Sequence, residues 1–128
     1  MNSKLSKVAA ILAWIIGVMA VVAGGRVLLG TLPDYYVIDW LPIYNFTVGV
    51  VTLLLTAVLI WRNSRLALPA AVATLTTHIL IMLVLQAAYR EVVARDSLVA
   101  MTVRITTWVI ILMLMVATRK KQLSSQYS

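Results

Sequence analysis

Residues 98–118 read LVAMTVRITTWVIILMLMVAT, a run that carries a single charge, Arg104. An α-helix crosses the hydrocarbon core of a bilayer with about 20 predominantly apolar residues, so this run predicts a transmembrane helix. Three further stretches of the chain meet the same criterion. They cover residues 8–29, 43–61 and 66–88.

The composition supports a membrane protein. Of the 128 residues, 62% are hydrophobic and only 12% are charged. A soluble domain carries about a quarter charged residues, and a small globule cannot hide such an apolar excess. We therefore predict an all-α membrane protein, an antiparallel up-down four-helix transmembrane bundle. It forms one domain over residues 1–121, with a frayed polar C-terminal tail at residues 122–128.

The charges predict the orientation. Seven cations and no anion fall on the side that holds the N-terminus, whereas the other side has a net charge of −1. The seven are Lys4, Lys7, Arg62, Arg65, Arg119, Lys120 and Lys121. Positive residues stay on the cytoplasmic side, so we expect both termini in the cytoplasm. The formal charge of +7 is thus a topology signal that needs no nucleic acid, and the bilayer is the expected partner.

Four spans in a chain of this length are typical of small bacterial membrane proteins, so we expect the bacterial inner (plasma) membrane. A cleaved signal peptide is the competing interpretation of the N-terminus, because Lys4 and Lys7 precede an apolar run and residues 21–23 (VVA) form a passable cleavage site. The apolar run is longer than a usual signal core, which favours a retained span.

The longest connection, residues 30–42 (GTLPDYYVIDWLP), is rich in aromatic residues. Tyr35, Tyr36 and Trp40, with Tyr44 just beyond, suit the headgroup layer. We expect Asp39 to cap the second helix, with Pro42 tolerated in its first turn. A short interfacial helix or re-entrant segment would also fit this connection.

Small and polar residues mark one face on each of three spans, and small residues allow close helix packing in lipid. In the first span these are Ala10, Ala13, Gly17, Ala20 and Gly24; in the second, Asn45, Gly49, Thr52 and Thr56; in the third, Ala67, Ala70, Thr74 and either Thr77 or His78. Helix packing is the favoured interpretation. The alternative is that Asn45, Thr52 and Thr56 line a polar pathway.

Arg104 is the strongest candidate site residue, since it lies about 10 Å inside the fourth span. An arginine at a helix centre costs about 2.5–3.5 kcal/mol of insertion free energy. We expect a counter-ion, and the candidates are Asp34, Asp39, Glu91 and Asp96. Snorkelling or tethering of the long connection is slightly favoured over a lipid-headgroup or anion site.

His78, the only histidine, lies near the middle of the third span. Antiparallel packing would bring it to within about one helical turn of the depth of Arg104, and Asn45 and Gln86 would complete a polar cluster. A hydrogen bond between helices is the favoured role of His78. Ligation of haem or contact with a quinone is the sharper alternative.

Absent residues narrow the chemistry further. The chain has no cysteine, and no Asp or Glu lies within a predicted span, which disfavours proton-coupled transport through a carboxylate. We find no defensible nucleophile–base pair and no metal or nucleotide motif, so we predict no catalytic residue, no metal site and no cofactor.

Three functions stay open. The preferred one is a non-catalytic protein that acts by contact, through other membrane proteins or self-association, as an accessory subunit, assembly factor or inhibitor of a larger complex. A small homo-oligomeric channel or transporter, with a polar path along Asn45, Thr52, Thr56 and Arg104, is the alternative. A quinone- or haem-binding anchor is the third.

Overall fold

A computed structural model describes the backbone of residues 4–127 and the side chains of residues 4–120. The described chain is helical, with four helices: α1 (Lys4–Leu28), α2 (Leu41–Trp61), α3 (Ala67–Ala87) and α4 (Arg95–Tyr127). All four are long and apolar enough to cross a membrane, with mean hydropathy between 2.0 and 2.4 in their most apolar windows. The four predicted spans are confirmed as helices, which indicates an integral membrane protein.

The first and last helices extend beyond the predicted membrane spans. α1 already begins at Lys4, and α4 begins at Arg95 rather than Leu98. Residues 122–127, predicted as a frayed tail, continue α4 as helix to Tyr127. The physical reason is that residues 119–123 (RKKQL) are good helix formers and that no Gly or Pro follows to end the helix.

Two residues in the left-handed backbone region end the first two helices. Gly30 has φ of 100° after α1, and Asn63 has φ of 54° after α2. In each case the next amide returns to the carbonyl five residues earlier, Thr31 N to Arg26 O at 2.9 Å and Ser64 N to Leu59 O at 3.0 Å. This is the Schellman geometry, for which Gly and Asn are the preferred residues.

The cap predicted for the second helix is wrong. Trp40 occupies the N-cap position without a side-chain hydrogen bond to the helix, and Asp39 is exposed. Pro42 does lie in the first turn, as expected. The connection between α1 and α2 contains turns and bends but no helix, so neither an interfacial helix nor a re-entrant helix forms there.

α1 packs most extensively against α2, through the predicted small-residue face. All five members of that face are buried: Ala10, Ala13, Gly17, Ala20 and Gly24. A Cβ atom at Gly24 would overlap the carbonyl oxygen of Pro42, and one at Gly49 would come within 2.8 Å of the Val21 amide nitrogen. The two backbones are therefore too close for any side chain larger than hydrogen at these positions.

Two hydrophobic clusters hold the helices together. In the larger one, Trp108 and Ile111 of α4 pack among alanines of α1 and α3, including Ala13 and Ala71. The smaller cluster joins the connection before α2 and the first residue of α2 to α3 and α4 through four buried residues, Ile38, Leu41, Leu85 and Met101. The larger cluster is built from small residues packed on large ones, which suits helices that associate in lipid.

Candidate functional site

Arg104 is buried inside the bundle, with 5% of its surface exposed. It lies nine residues after the first residue of α4, or about 14 Å along the helix at 1.5 Å per residue. Its Nη1 donates to Oδ1 of Asn45 on α2, and it also contacts the sulfur of Met101 at 3.7 Å. The guanidinium thereby ties α4 to α2.

A second polar contact crosses from α2 to α3. The hydroxyl of Tyr44 and Nδ1 of His78 share a hydrogen bond of 2.7 Å, and the two rings meet edge to face with centroids 5.8 Å apart. His78 is 2% exposed. Because Tyr44 and Asn45 are neighbours in α2, these four side chains link three helices; we call Tyr44, Asn45, His78 and Arg104 the polar cluster.

The expected counter-ions of Arg104 are not found in contact with it. Within the part of the chain whose side chains are described, Arg104 forms no salt bridge, and the four acidic candidates are exposed: Asp34, Asp39, Glu91 and Asp96. A neutral amide oxygen takes the place of the carboxylate. Burial of a cation with only neutral acceptors is energetically costly, which makes Asn45 important for holding Arg104 inside.

Gln86 does not join the cluster. It lies eight residues after His78 in α3, which places it about 12 Å farther along the helix and about 80° around it. Its side chain is exposed. Of the predicted site residues, the structure therefore brings Arg104 and Asn45 into direct contact and links His78 to them through Tyr44, but leaves Gln86 outside.

The predicted threonine face is buried between helices. Thr52, Thr56 and Thr74 are each less than one-tenth exposed. The hydroxyls of Thr52 and Thr74 bond to carbonyls of their own helices, Val48 at 2.7 Å and Ala70 at 2.8 Å. Residues 52–56 form one π-helical turn within α2, a distortion that arises where a helix accommodates an extra residue per turn.

α2 and α3 follow each other in sequence but touch only weakly, and a lateral groove of about 530 Å³ opens between them. Tyr44 lies at one end of it, so the Tyr44–His78 bond crosses between the two helices there. Small and hydroxyl residues contribute much of its walls, among them Thr47, Ala73 and Thr77. We call this the α2–α3 groove.

Sequence reasoning missed Tyr44 and the groove. The sequence pattern predicts that Tyr44 lies in the headgroup layer, because it follows the aromatic connection. Its position directly before Asn45 is the signal that could have indicated its place in the polar cluster. The groove depends on how α2 and α3 are rotated, which the sequence does not specify. Within the described side chains, no cluster of three or more His, Cys, Asp or Glu residues could hold a metal ion.

No family model matches the chain, and no curated protein sequence or solved structure is significantly similar to it.

Proposed function

We propose that the chain acts by contact: the α2–α3 groove receives a transmembrane helix of a larger membrane complex, of which the chain is an accessory subunit, assembly factor or inhibitor. The observation that carries the proposal is the weak seam between α2 and α3. α1 packs closely against α2 and α4, and α3 packs against α4, whereas α2 and α3 leave a groove of about 530 Å³.

The shape and chemistry of the groove fit a helix. Along α2 it extends from Ile43 to Thr56, about 20 Å or more than three helical turns. Ala70 and Ala73 permit close approach of another backbone, and Thr47 and Thr77 offer hydroxyls. Small residues and hydroxyls are what transmembrane helices use to associate, since hydrophobic attraction between helices is absent in lipid.

The polar cluster supports this function because it acts as a clamp, a set of contacts that holds α2 and α3 together at one end of the groove. Arg104–Asn45 joins α4 to α2, and Tyr44–His78 joins α2 to α3 at the end of the groove. A clamp at that point holds the two groove walls at a fixed separation while the rest of the seam stays open. This pre-forms the binding surface, which lowers the ordering cost of association.

The same geometry favours contact over the alternative functions. The hydroxyls of Thr52 and Thr74 already donate to carbonyls of their own helices. His78 is already bonded to Tyr44, which fits its structural interpretation better than ligation of a haem. These contacts support the proposal of binding to another protein in preference to a polar pathway or a cofactor anchor.

The proposal includes an orientation. The helices run up-down-up-down, with both termini and the turn after α2 in the cytoplasm of a bacterium and the connection at residues 29–40 outside the inner membrane. The seven cations on one side, against a net charge of −1 on the other, support this arrangement.

The test is the mass of the chain extracted with its native lipids into polymer nanodiscs. We expect a complex heavier than the 14.1 kDa chain by the mass of a different protein. Thr77→Phe fills the groove and should release that protein. Thr76→Phe is the matched control, because Thr76 is exposed on the same helix but does not line the groove.

A monomer in the wild type would overturn the proposal, as would equal retention of the partner by the two variants. An exact multiple of 14.1 kDa would show a second copy in the groove and would overturn the claim of a different partner.

A further inference from the structure

A second groove lies on the opposite flank of α2, where that helix packs against α1. It has a volume of about 410 Å³, within the range of about 300–1,000 Å³ that is usual for ligand pockets. Its walls are apolar, with Ile11 and Trp14 from α1 facing Val58 and Trp61 from α2. These side chains are all exposed at the outer surface of the bundle, so the groove faces lipid.

Two cations lie at one end of this groove. Arg62 lines it directly, and the Nζ atom of Lys7 lies 3.7 Å from the centre of the ring of Trp61, which also lines the groove and precedes Arg62 in the chain. The four acidic residues of the chain, Asp34, Asp39, Glu91 and Asp96, all belong to the two connections that precede α2 and α4 or to the first turn of α4. The chain therefore places no carboxylate on α1, on α2 or in the turn that holds Arg62.

We propose that this groove binds an anionic glycerophospholipid, with one acyl chain against Trp14 and Val58 and the phosphate between Lys7 and Arg62. Guanidinium and ammonium groups are the usual partners of phosphate, and tryptophan settles where hydrocarbon meets headgroups. An apolar groove that ends in two cations, neither of which forms a salt bridge within the described side chains, matches a ligand with an apolar tail and a negative head. The site goes beyond the proposed function, because it lies apart from the α2–α3 groove.

The position of the groove agrees with this ligand. Ser6 at the start of α1 donates to the carbonyl of Ile60 near the end of α2, and both line a small cavity together with Arg119 of α4. The contacts thus bring Lys7, Arg62 and Arg119 to the same end of the molecule. Basic residues at a membrane surface attract anionic lipid, and here the groove adds a place for one particular molecule.

The test is native mass spectrometry of the purified chain, titrated with phosphatidylglycerol and with phosphatidylcholine of the same acyl chains. We expect the wild type to retain one phosphatidylglycerol in preference to phosphatidylcholine. Arg62→Gln should weaken that retention about five-fold, the effect of one basic residue near a membrane surface. Arg65→Gln is the matched control, since Arg65 belongs to the same turn and is exposed but does not line the groove.

Val58→Trp tests the acyl-chain part of the site, because it fills the groove and leaves the cations unchanged. We expect it to reduce lipid retention as well. Equal losses in Arg62→Gln and Arg65→Gln would show attraction by overall charge and overturn the site. Unchanged retention in Val58→Trp, or displacement of the lipid by inorganic phosphate, would show that only the phosphate is recognised and would also overturn it.

Discussion

Arg104 is a cation buried inside the helical bundle, with 5% of its surface exposed. A guanidinium at membrane depth costs about 2.5–3.5 kcal/mol of insertion free energy, and no carboxylate in the described side chains compensates it by a salt bridge. Asn45 supplies a neutral oxygen instead. We infer that Arg104 serves to link α4 to α2 beside the Tyr44–His78 contact. The stability of this link depends on Asn45.

Replacement of Asn45 alone should therefore lower the free energy of unfolding more than replacement of both Asn45 and Arg104. Asn45→Leu leaves the guanidinium buried without its carbonyl partner, so we expect it to lower the free energy of unfolding by about 1.5–3 kcal/mol. In the double variant Asn45→Leu/Arg104→Met the loss should be smaller than in Asn45→Leu alone, since two apolar groups replace a bonded polar pair. Unfolding by SDS in mixed micelles, followed by tryptophan fluorescence, measures both.

A double variant that loses more stability than Asn45→Leu, by the amount that Arg104→Met loses alone, would contradict the inferred link. This result would show that Asn45 and Arg104 stabilise the bundle independently.

At the scale of the helices, the α1–α2 contact depends on particular glycines. Gly24 faces the backbone of α2, where an added Cβ would overlap the Pro42 carbonyl and approach the Phe46 amide nitrogen at 2.6 Å. Its neighbour Gly25 faces only the Phe46 ring, at an ordinary distance of 3.6 Å. The two adjacent glycines therefore have different roles.

Gly24→Ala should force α1 and α2 apart and lower the free energy of unfolding by about 1–3 kcal/mol, the usual cost of overpacking. Gly25→Ala is the control and should be neutral or slightly stabilising, because alanine is the better helix former. The same SDS titration compares them. Equal stability of the two variants would mean that the close approach of the backbones at Gly24 is not required.

Hydropathy alone was enough to predict the four helices, since a span in lipid needs an apolar run of sufficient length. The buried small-residue face from Ala10 to Gly24 also followed from spacing. Contacts that depend on helix rotation or on loop geometry were harder to predict from the sequence. The sequence predicted similar depths for Arg104, Asn45 and His78. The role of Tyr44 as the link, the Oδ1 atom of Asn45 as the acceptor for Arg104, and the exposure of Gln86 could be found only in the structure.

The counter-ion prediction failed for a physical reason. All four acidic residues lie outside the apolar spans, where water solvates them, and bringing one inward would cost its own desolvation. An amide avoids that second penalty. Asp39 failed as a cap because the helix begins one residue later than that position requires, with Trp40 at the N-cap.

At the scale of the whole molecule, the orientation can be tested cleanly because the chain has no cysteine. We expect Tyr36→Cys, in the exposed connection after α1, to react with a membrane-impermeant maleimide on intact cells. Arg65→Cys, in the exposed turn after α2, should react only after the membrane is opened. Labelling of Arg65→Cys on intact cells would show that the topology is the reverse of the proposed one.

The protein combines four helices suited to lipid, a polar cluster that joins three of them, and a seam between α2 and α3 that stays open. If protein, and not lipid, covers the α2–α3 groove in the native membrane, a photoreactive benzophenone side chain at Thr77 should cross-link to protein in living cells, whereas the same group at Thr76, the control, should cross-link to lipid. We expect the mass of the Thr77 adduct to identify the same partner as in the nanodiscs. Lipid adducts alone at both positions would show that lipid covers the groove and would overturn the proposed function.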